Sequence, residues 1–311
     1  MRNVAILGLG YIAPRVAKGI SYAKNATLYA VASRTLEKAI LFKEKYGAKI
    51  AYGSYEDVYK DPDVDLIYIC TPNDTHLTYI EACLKSKKNV ICEKPMVKNE
   101  KELEYVFNLA KENNCFLMEA HKTAFTPLNT YLKKEIDSGR WGKLLSIYGE
   151  YSSNPPEHIK SYKGDFMGAS YDIGVYPACF VNFYANSKIK HCTGKLINLG
   201  YDADFGFMAW IEYENGIVAQ ANTSWLYTPE HKGHGCLLLE KGVIEIPAFW
   251  KGDMAYITTN GNKETIQIDT TSDFTGEVEE AIDCIENGKL QSDIMGFKQS
   301  REILKIVKSC K

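Results

Sequence analysis

Residues 4–13 read VAILGLGYIA. An apolar run ends in glycine, one residue and glycine again, and then enters a segment with helical spacing. This gives G-x-G-x-x-A at Gly8, Gly10 and Ala13, after a strand and opening a helix. Gly8 suits the tight turn, and Gly10 lets the backbone approach a ligand without a Cβ in the way. The helix start then offers unpaired N–H groups and partial positive charge to an anion such as a dinucleotide pyrophosphate. A short glycine motif alone would also fit a purely structural turn, so its context decides.

That context is a repeated alternation. Through residue 120, apolar runs of strand length (NVAILGLG, ATLYAVASR, VDLIYICTP, NVICEKP, CFLMEA) alternate with helical segments such as TLEKAILFKEKYG and NEKELEYVFNLAKENN. Such alternation predicts βαβ units and a parallel sheet. Thr35 and Asn99 sit where helix N-caps are expected. After about residue 122 the rhythm changes. One helix, PLNTYLKKEIDSG, is followed by strand-like segments with turn signals at 214–216 (ENG) and 240–242 (EKG), and two helices close the chain. The expected fold class is α/β: an N-terminal doubly wound parallel Rossmann sheet over 1–121, then an α+β domain over 122–311 with a large, mostly antiparallel sheet for substrate binding and oligomerisation.

Composition narrows the function. The 311 residues carry 37 Lys and Arg against 39 Asp and Glu, a net charge of -2 that gives no reason to expect nucleic acid or an anionic membrane as partner. No stretch is apolar for the ~18 residues a membrane span requires. The nine cysteines are scattered without a C-x-x-C pair, which suggests free thiols in a reducing, cytoplasmic setting. The 21 tyrosines fit either a polar-substrate cleft or a sheet-rich domain. His231 and His234 lie near each other, but no Cys or carboxylate stands at ligand spacing, so no metal site is expected.

The end of the second strand distinguishes the nicotinamide dinucleotides. An acid there accepts from the ribose 2′-hydroxyl of NAD, whereas an Arg suits the 2′-phosphate of NADP. The stretch here is Ser33-Arg34-Thr35 with no acid, so NADP is the expected cofactor and NAD the alternative.

Two further segments complete the pattern. ICEKPM places Glu93-Lys94-Pro95 at the end of the fifth strand, and YDIGVYPACF (171–180) places Asp172 and Tyr176 four apart, sharing a face if the segment is one helix. With YICTPNDTH upstream, the chain resembles the Gfo/Idh/MocA family of oxidoreductases over essentially its whole length. The resemblance implies that Gly8, Gly10, Tyr11 and Ile12 cradle the pyrophosphate and that Cys70, Thr71, Pro72, Asn73 and His76 border the riboses. It implies that Glu93 and Lys94 lie beside the nicotinamide, that Lys94 and Asp172 engage the substrate, and that Tyr176 donates or accepts the proton. Many members carry His at the position of Tyr176; Tyr there resembles the dihydrodiol dehydrogenase, aldose dehydrogenase and glucose–fructose oxidoreductase branches instead. Ala124 stands where many have Arg, with Lys122 as the cation nearby.

Alcohol oxidation must remove the O–H proton as hydride leaves carbon. A phenol of pKa ~10 is a poor base unless a neighbouring ammonium favours the phenolate, and Lys94 would supply it. Plainer readings make Lys94 a solvated strand-end lysine, Tyr176 a packing residue and Asp172 an acid answering a helix dipole. The expectation is an NADP-dependent dehydrogenase or reductase acting on a CH–OH or carbonyl group of a small sugar, polyol or diol. The alternatives are a cofactor-retaining, redox-neutral glycosidase and a non-catalytic NADP-binding regulator. A homo-oligomer, dimer or tetramer, is expected through the C-terminal sheet.

Overall fold

The computed structural model describes residues 1–157, 165–226 and 233–310. They form two compact units, one of Met1–Phe125 with Thr271–Ser300, the other of Thr126–Thr270 with Arg301–Lys311.

The first unit opens with β1 (Arg2–Leu7), α1 (Ala13–Tyr22), β2 (Ala26–Ala32), α2 (Leu36–Tyr46), β3 (Ile50–Tyr52) and α3 (Tyr55–Lys60). It continues with β4 (Leu66–Ile69), α4 (His76–Lys85), β5 (Asn89–Glu93), α5 (Glu100–Asn113) and β6 (Leu117–Ala120). The six strands are all parallel, in the order β3-β2-β1-β4-β5-β6. Helices on both faces leave the central strands no wet side. Val4–Leu7 and Leu66–Ile69 are therefore fully buried, and their sequences are continuous apolar runs rather than alternations. Strand order reverses between β1 and β4, and the crevice outside their carboxyl ends is where doubly wound sheets bind ligands. Asn99 caps α5 by accepting from the Glu102 N–H at 3.0 Å. Thr35 occupies the cap position of α2 without a side-chain bond.

The second unit contains α6 (Pro127–Asp137), β7 (Leu144–Ser152), α7 (Ala169–Asp172), α8 (Val175–Ala185), β8 (Ile189–Leu196), β9 (Gly206–Tyr213) and β10 (Val218–Ser224). Then come β11 (His234–Leu239), β12 (Gly242–Pro247), β13 (Met254–Thr259) and β14 (Asn262–Gln267). These strands form one eight-stranded sheet, β14-β13-β12-β11-β7-β10-β9-β8, antiparallel except between β7 and β10. Both anticipated hairpins are present, β9–β10 and β11–β12. On the inner face Ile211, Ala219, Ile147, Leu237, Ile244 and Ile257 stand in one row across six strands and are buried. α8 lies on this face, with Phe180 packed over the paired Gly149 and Gly235. The opposite face carries Trp210, Gln220, Tyr148, Cys236, Glu245 and Tyr256 in register. Met208, Trp210, Leu238 and Tyr256 are exposed there, Met208 by 62%.

Beyond β14 the chain forms α9 (Thr275–Glu286) and α10 (Phe297–Ser309). α9 belongs to the first unit, where it packs on α1: Thr275 Oγ1 donates to the Gly19 carbonyl at 3.1 Å, and the Arg15 guanidinium lies over the Phe274 ring. The unit division falls inside α10, whose last turns belong with β8. There Glu302 accepts from the Ile189 N–H at 3.0 Å. No helix among the described residues is long and apolar enough to cross a membrane. All nine cysteines are free, and no metal-binding cluster occurs among the described residues. His231 lies outside them.

Candidate active site

The glycine loop occupies the switch point of the parallel sheet. Its ends are stitched to both neighbours of β1, Gly8 N–H to the Ala32 carbonyl at 3.0 Å and Cys70 N–H to the Leu7 carbonyl at 2.8 Å. Gly8 has φ +91°, and a Cβ there would sit 2.8 Å from Thr71 Cγ2, so both conformation and space require glycine. A Cβ on Gly10 would meet nothing closer than the Cys70 carbonyl oxygen at 3.9 Å; the loop is open on that side. Tyr11 is 93% exposed, and the first turn of α1 carries neither an acid nor a side-chain cap on its N–H groups. That combination of an open, donor-rich helix start after a glycine turn fits a dinucleotide pyrophosphate.

At the end of β2, Ser33 is buried with its N–H on the Tyr52 carbonyl, and Arg34 is exposed. Beside it Tyr55 and Tyr79 meet edge to face at 5.0 Å. Burial pushes the Tyr55 phenol up, while the Arg34 charge pulls it the other way. At the end of β4, Cys70 and Thr71 are buried, Pro72 is exposed and Asn73 half-buried. Burial drives the Cys70 thiol well above its ordinary value. His76 has a role the sequence did not show. It is fully buried, with Nδ1 2.9 Å from the Pro95 carbonyl and Nε2 2.9 Å from the Thr71 carbonyl. Burial favours the neutral ring, whose single N–H donates to one of the two carbonyls, and His76 sits between the β4 loop and the turn after β5.

That turn carries Lys94. Glu93 is buried and lies 3.0 Å from the Tyr68 hydroxyl, the Pro95 carbonyl is held by His76, and the Met96 N–H donates to Glu119 at 2.9 Å. The Lys94–Pro95 peptide is cis. Lys94 itself is half-buried between buried neighbours. Three holds, on residues 93, 95 and 96, fix where its side chain begins, the kind of support a reacting group needs.

Lys122, expected as a substrate cation, is placed differently. It is 5% exposed and paired with Asp273 at 2.5 Å, a carboxylate that also pairs with Arg15 at 2.5 Å. Burial lowers the Lys122 ammonium from its usual range. Burial alone would raise Asp273, but Lys122 and Arg15 together hold it below its usual range. Behind this pair lies Glu277, fully buried, 2.5 Å from the same Tyr68 hydroxyl that reaches Glu93. Tyr68, Asp273 and Glu277 were not anticipated. One signal existed for Glu277: it stands in the buried stripe of α9 with Phe274, Val278, Ala281 and Ile282, and an acid in such a stripe calls for a partner.

In the second unit the Asp172–Tyr176 pair does not share one continuous helix. α7 ends at Asp172 and α8 begins at Val175, with Gly174 N–H reaching five residues back to the Ala169 carbonyl at 2.8 Å. A Cβ on Gly174 would lie 2.4 Å from the Phe207 ring and 2.5 Å from the Ser170 carbonyl oxygen, so the break is built around glycine. Asp204 anchors α7, accepting from Ser170 N–H at 2.9 Å and Ser170 Oγ at 2.7 Å. Tyr176 is half-buried and packs on Ala169, Ile173, Ala203, Phe205 and Trp225. Its ring meets Tyr151 edge to face at 5.4 Å, and Tyr151 continues to Trp250 at 4.4 Å. Asp172 is also half-buried.

A six-stranded doubly wound sheet with this glycine loop defines a Rossmann-type dinucleotide-binding domain. Comparison with known proteins agrees. Residues 2–121 match the oxidoreductase family with NAD-binding Rossmann fold, and residues 130–245 match the GFO/IDH/MocA C-terminal domain. The chain belongs to the Gfo/Idh/MocA family. It is 30% identical to a trans-1,2-dihydrobenzene-1,2-diol dehydrogenase of Xenopus laevis, over 89% of this chain and 87% of that protein. It is 29% identical to the scyllo-inositol 2-dehydrogenase (NADP(+)) IolU of Bacillus subtilis, over 100% and 96%. The fold also matches KijD10, a 3-ketoreductase from Actinomadura kijaniata solved with TDP-benzene and NADP, at a TM-score of 0.83 and 20% identity, covering 99% of this chain and 96% of that one.

Proposed function

We propose that this chain is an NADP(H)-preferring dehydrogenase or reductase of a small diol, polyol or sugar, with Lys94 and Tyr176 as residues that serve the substrate. The observation that carries the reading is the Lys94 turn, held by Tyr68, His76 and Glu119 beside an open dinucleotide cradle. Relatives along most of the chain are named for diol and inositol oxidation. Gly8, Gly10, Tyr11 and Ile12 would hold the pyrophosphate, and Arg34 with Ser33 the 2′-phosphate, since no acid stands there to repel it. Cys70, Thr71, Pro72 and Asn73 would line the riboses, and His76 would act through the backbone of Thr71 and Pro95.

When bound, the nicotinamide supplies the hydride donor or acceptor. The protein's part is the proton. Tyr176 would take it from the substrate hydroxyl during oxidation and return it during reduction, and Lys94 would hold a substrate oxygen. Asp172 would orient a second substrate hydroxyl. The Tyr176 ring packs edge to face on Tyr151, which in turn meets Trp250.

The exposed row of Met208, Trp210, Leu238 and Tyr256 supports pairing of two copies through the outer sheet face, and the free thiols support a reducing, cytoplasmic compartment. The test is to assay NADP(H)- and NAD(H)-linked turnover across diols, inositols, aldoses and dicarbonyls. Turnover with NADP(H) on such a substrate is the expected result. Tight cofactor binding with no redox change on any of them would reject the dehydrogenase reading.

A further inference from the structure

Between the pyrophosphate helix and the Lys94 turn lies a buried chain of acids. Tyr68 Oη is 3.0 Å from Glu93 Oε1 and 2.5 Å from Glu277 Oε1. A phenol has one hydrogen and can donate to only one carboxylate. The second short contact therefore requires a carboxyl O–H that donates to the phenol oxygen. The two acids share one retained proton.

Its position follows from the charges around each acid. Burial raises Glu93, and the Lys94 ammonium, the Tyr68 hydroxyl, the Lys122 ammonium and His121 oppose that rise. Burial raises Glu277 well above its ordinary range and the like charges of Glu93 and Asp273 add to it, opposed by the Tyr68 hydrogen bond and Lys122, while Arg15 is engaged by Asp273. The other ionisable neighbours are the Cys70 and Cys92 thiols, which burial keeps protonated. Glu277 Oε2 is buried with no hydrogen-bond partner among the described residues, a setting that disfavours an anion. The favoured arrangement is Glu277 carboxyl O–H to Tyr68 oxygen, and Tyr68 O–H to Glu93 carboxylate.

We infer that Glu277 and Tyr68 are positioning residues for the Lys94 turn: a proton resident on Glu277 aims Tyr68 at Glu93 and so fixes the residue from which Lys94 departs. Neither touches the reacting atoms. The inference rests on the proposed role of Lys94, but the chain of hydrogen bonds stands without it. Loss of the proton would put two carboxylates on one phenol; they would repel, and the turn would lose one of its three holds.

The test uses the purified full chain without substrate, so it does not depend on the proposed reaction. Infrared spectra at about pH 8, where ordinary carboxyls are ionised, should show a protonated-carboxyl C=O band. It should disappear in Glu277→Gln and persist in Glu93→Gln. Hydrogen exchange should accelerate about tenfold at the amides of Lys94, Met96 and Val97 in Tyr68→Phe, corresponding to about 1.4 kcal/mol, while β1 and β2 amides keep their wild-type rates. A wild-type protein without a protonated carboxyl at that pH, a band that survives Glu277→Gln, or exchange unchanged at the turn would each overturn the inference. Should Glu277→Gln not fold, the wild-type spectrum and the Tyr68→Phe exchange still decide it.

Discussion

Tyr176 and Arg34 carry the most direct consequences of single side chains. Tyr176→Phe removes only the hydroxyl from a ring whose packing against Tyr151 is unchanged. Turnover should fall by about 10²- to 10⁴-fold, the usual worth of a positioned proton-transfer group, with NADPH affinity within error of wild type by fluorescence titration. Arg34→Ala should weaken NADP(H) by about ten- to a hundredfold, the loss of one charge-assisted contact to phosphate, and leave NAD(H) unaffected. Equal weakening of both cofactors would remove Arg34 from the 2′-phosphate. Glu277 gives a pH prediction. Burial, then Glu93, hold its carboxyl well above the ordinary range. The stability gained from its protonated form is complete below the unfolded value of ~4.3 and is lost as pH rises toward the folded value. The melting-temperature difference, Glu277→Gln minus wild type, should therefore grow from about pH 5 to about pH 9; a difference constant with pH would contradict it. Lys94, Tyr176 and Arg34 were visible as candidates because each stands in a short motif. Glu277 and Asp273 were not, because their partners Tyr68 and Lys122 are some 150 to 209 residues away in the chain.

At the scale of elements, periodicity carried most of the reading. Buried parallel strands show as apolar runs, and the half-wet strands of the large sheet show as alternation; β9 buries Phe207, Ala209 and Ile211 and exposes Met208 and Trp210. Two features escaped it. The break between α7 and α8 depends on how closely Phe207 and the Ser170 carbonyl approach Gly174, a tertiary distance that no local pattern records. The loop tie made by His76 joins two loops through backbone carbonyls, whereas the resemblance implied only that His76 borders a ribose. Both glycine sites can be tested. Gly8→Ala faces a positive φ and a close Thr71 methyl, so a loss of about 1–3 kcal/mol and weakened binding of either dinucleotide are expected. Gly174→Ala should cost about 1–3 kcal/mol through overpacking and lower turnover without changing dinucleotide affinity, because it displaces the helix start that carries Tyr176.

For the whole molecule, the sequence shows a change of rhythm near residue 122, but nothing in it marks the return of Thr271–Ser300 to the first unit. That return brings Asp273 to Lys122 and Arg15, and Glu277 to Tyr68, so the first unit is completed by residues from the far end of the chain. The outer face of the eight-stranded sheet belongs to this scale as well. Met208→Asp with Trp210→Asp should convert the expected dimer to a monomer by light scattering, since a charge pair facing its own copy cannot be desolvated; an unchanged mass would remove this face from the assembly. The most direct measurement is the initial rate of NADPH formation by wild type and Tyr176→Phe, side by side, on the best substrate among diols, inositols and aldoses. A wild-type rate that the variant loses by at least about a hundredfold, with cofactor binding intact, is the predicted result. Equal rates in the two proteins, or no NADPH formed by either across the panel, would contradict it.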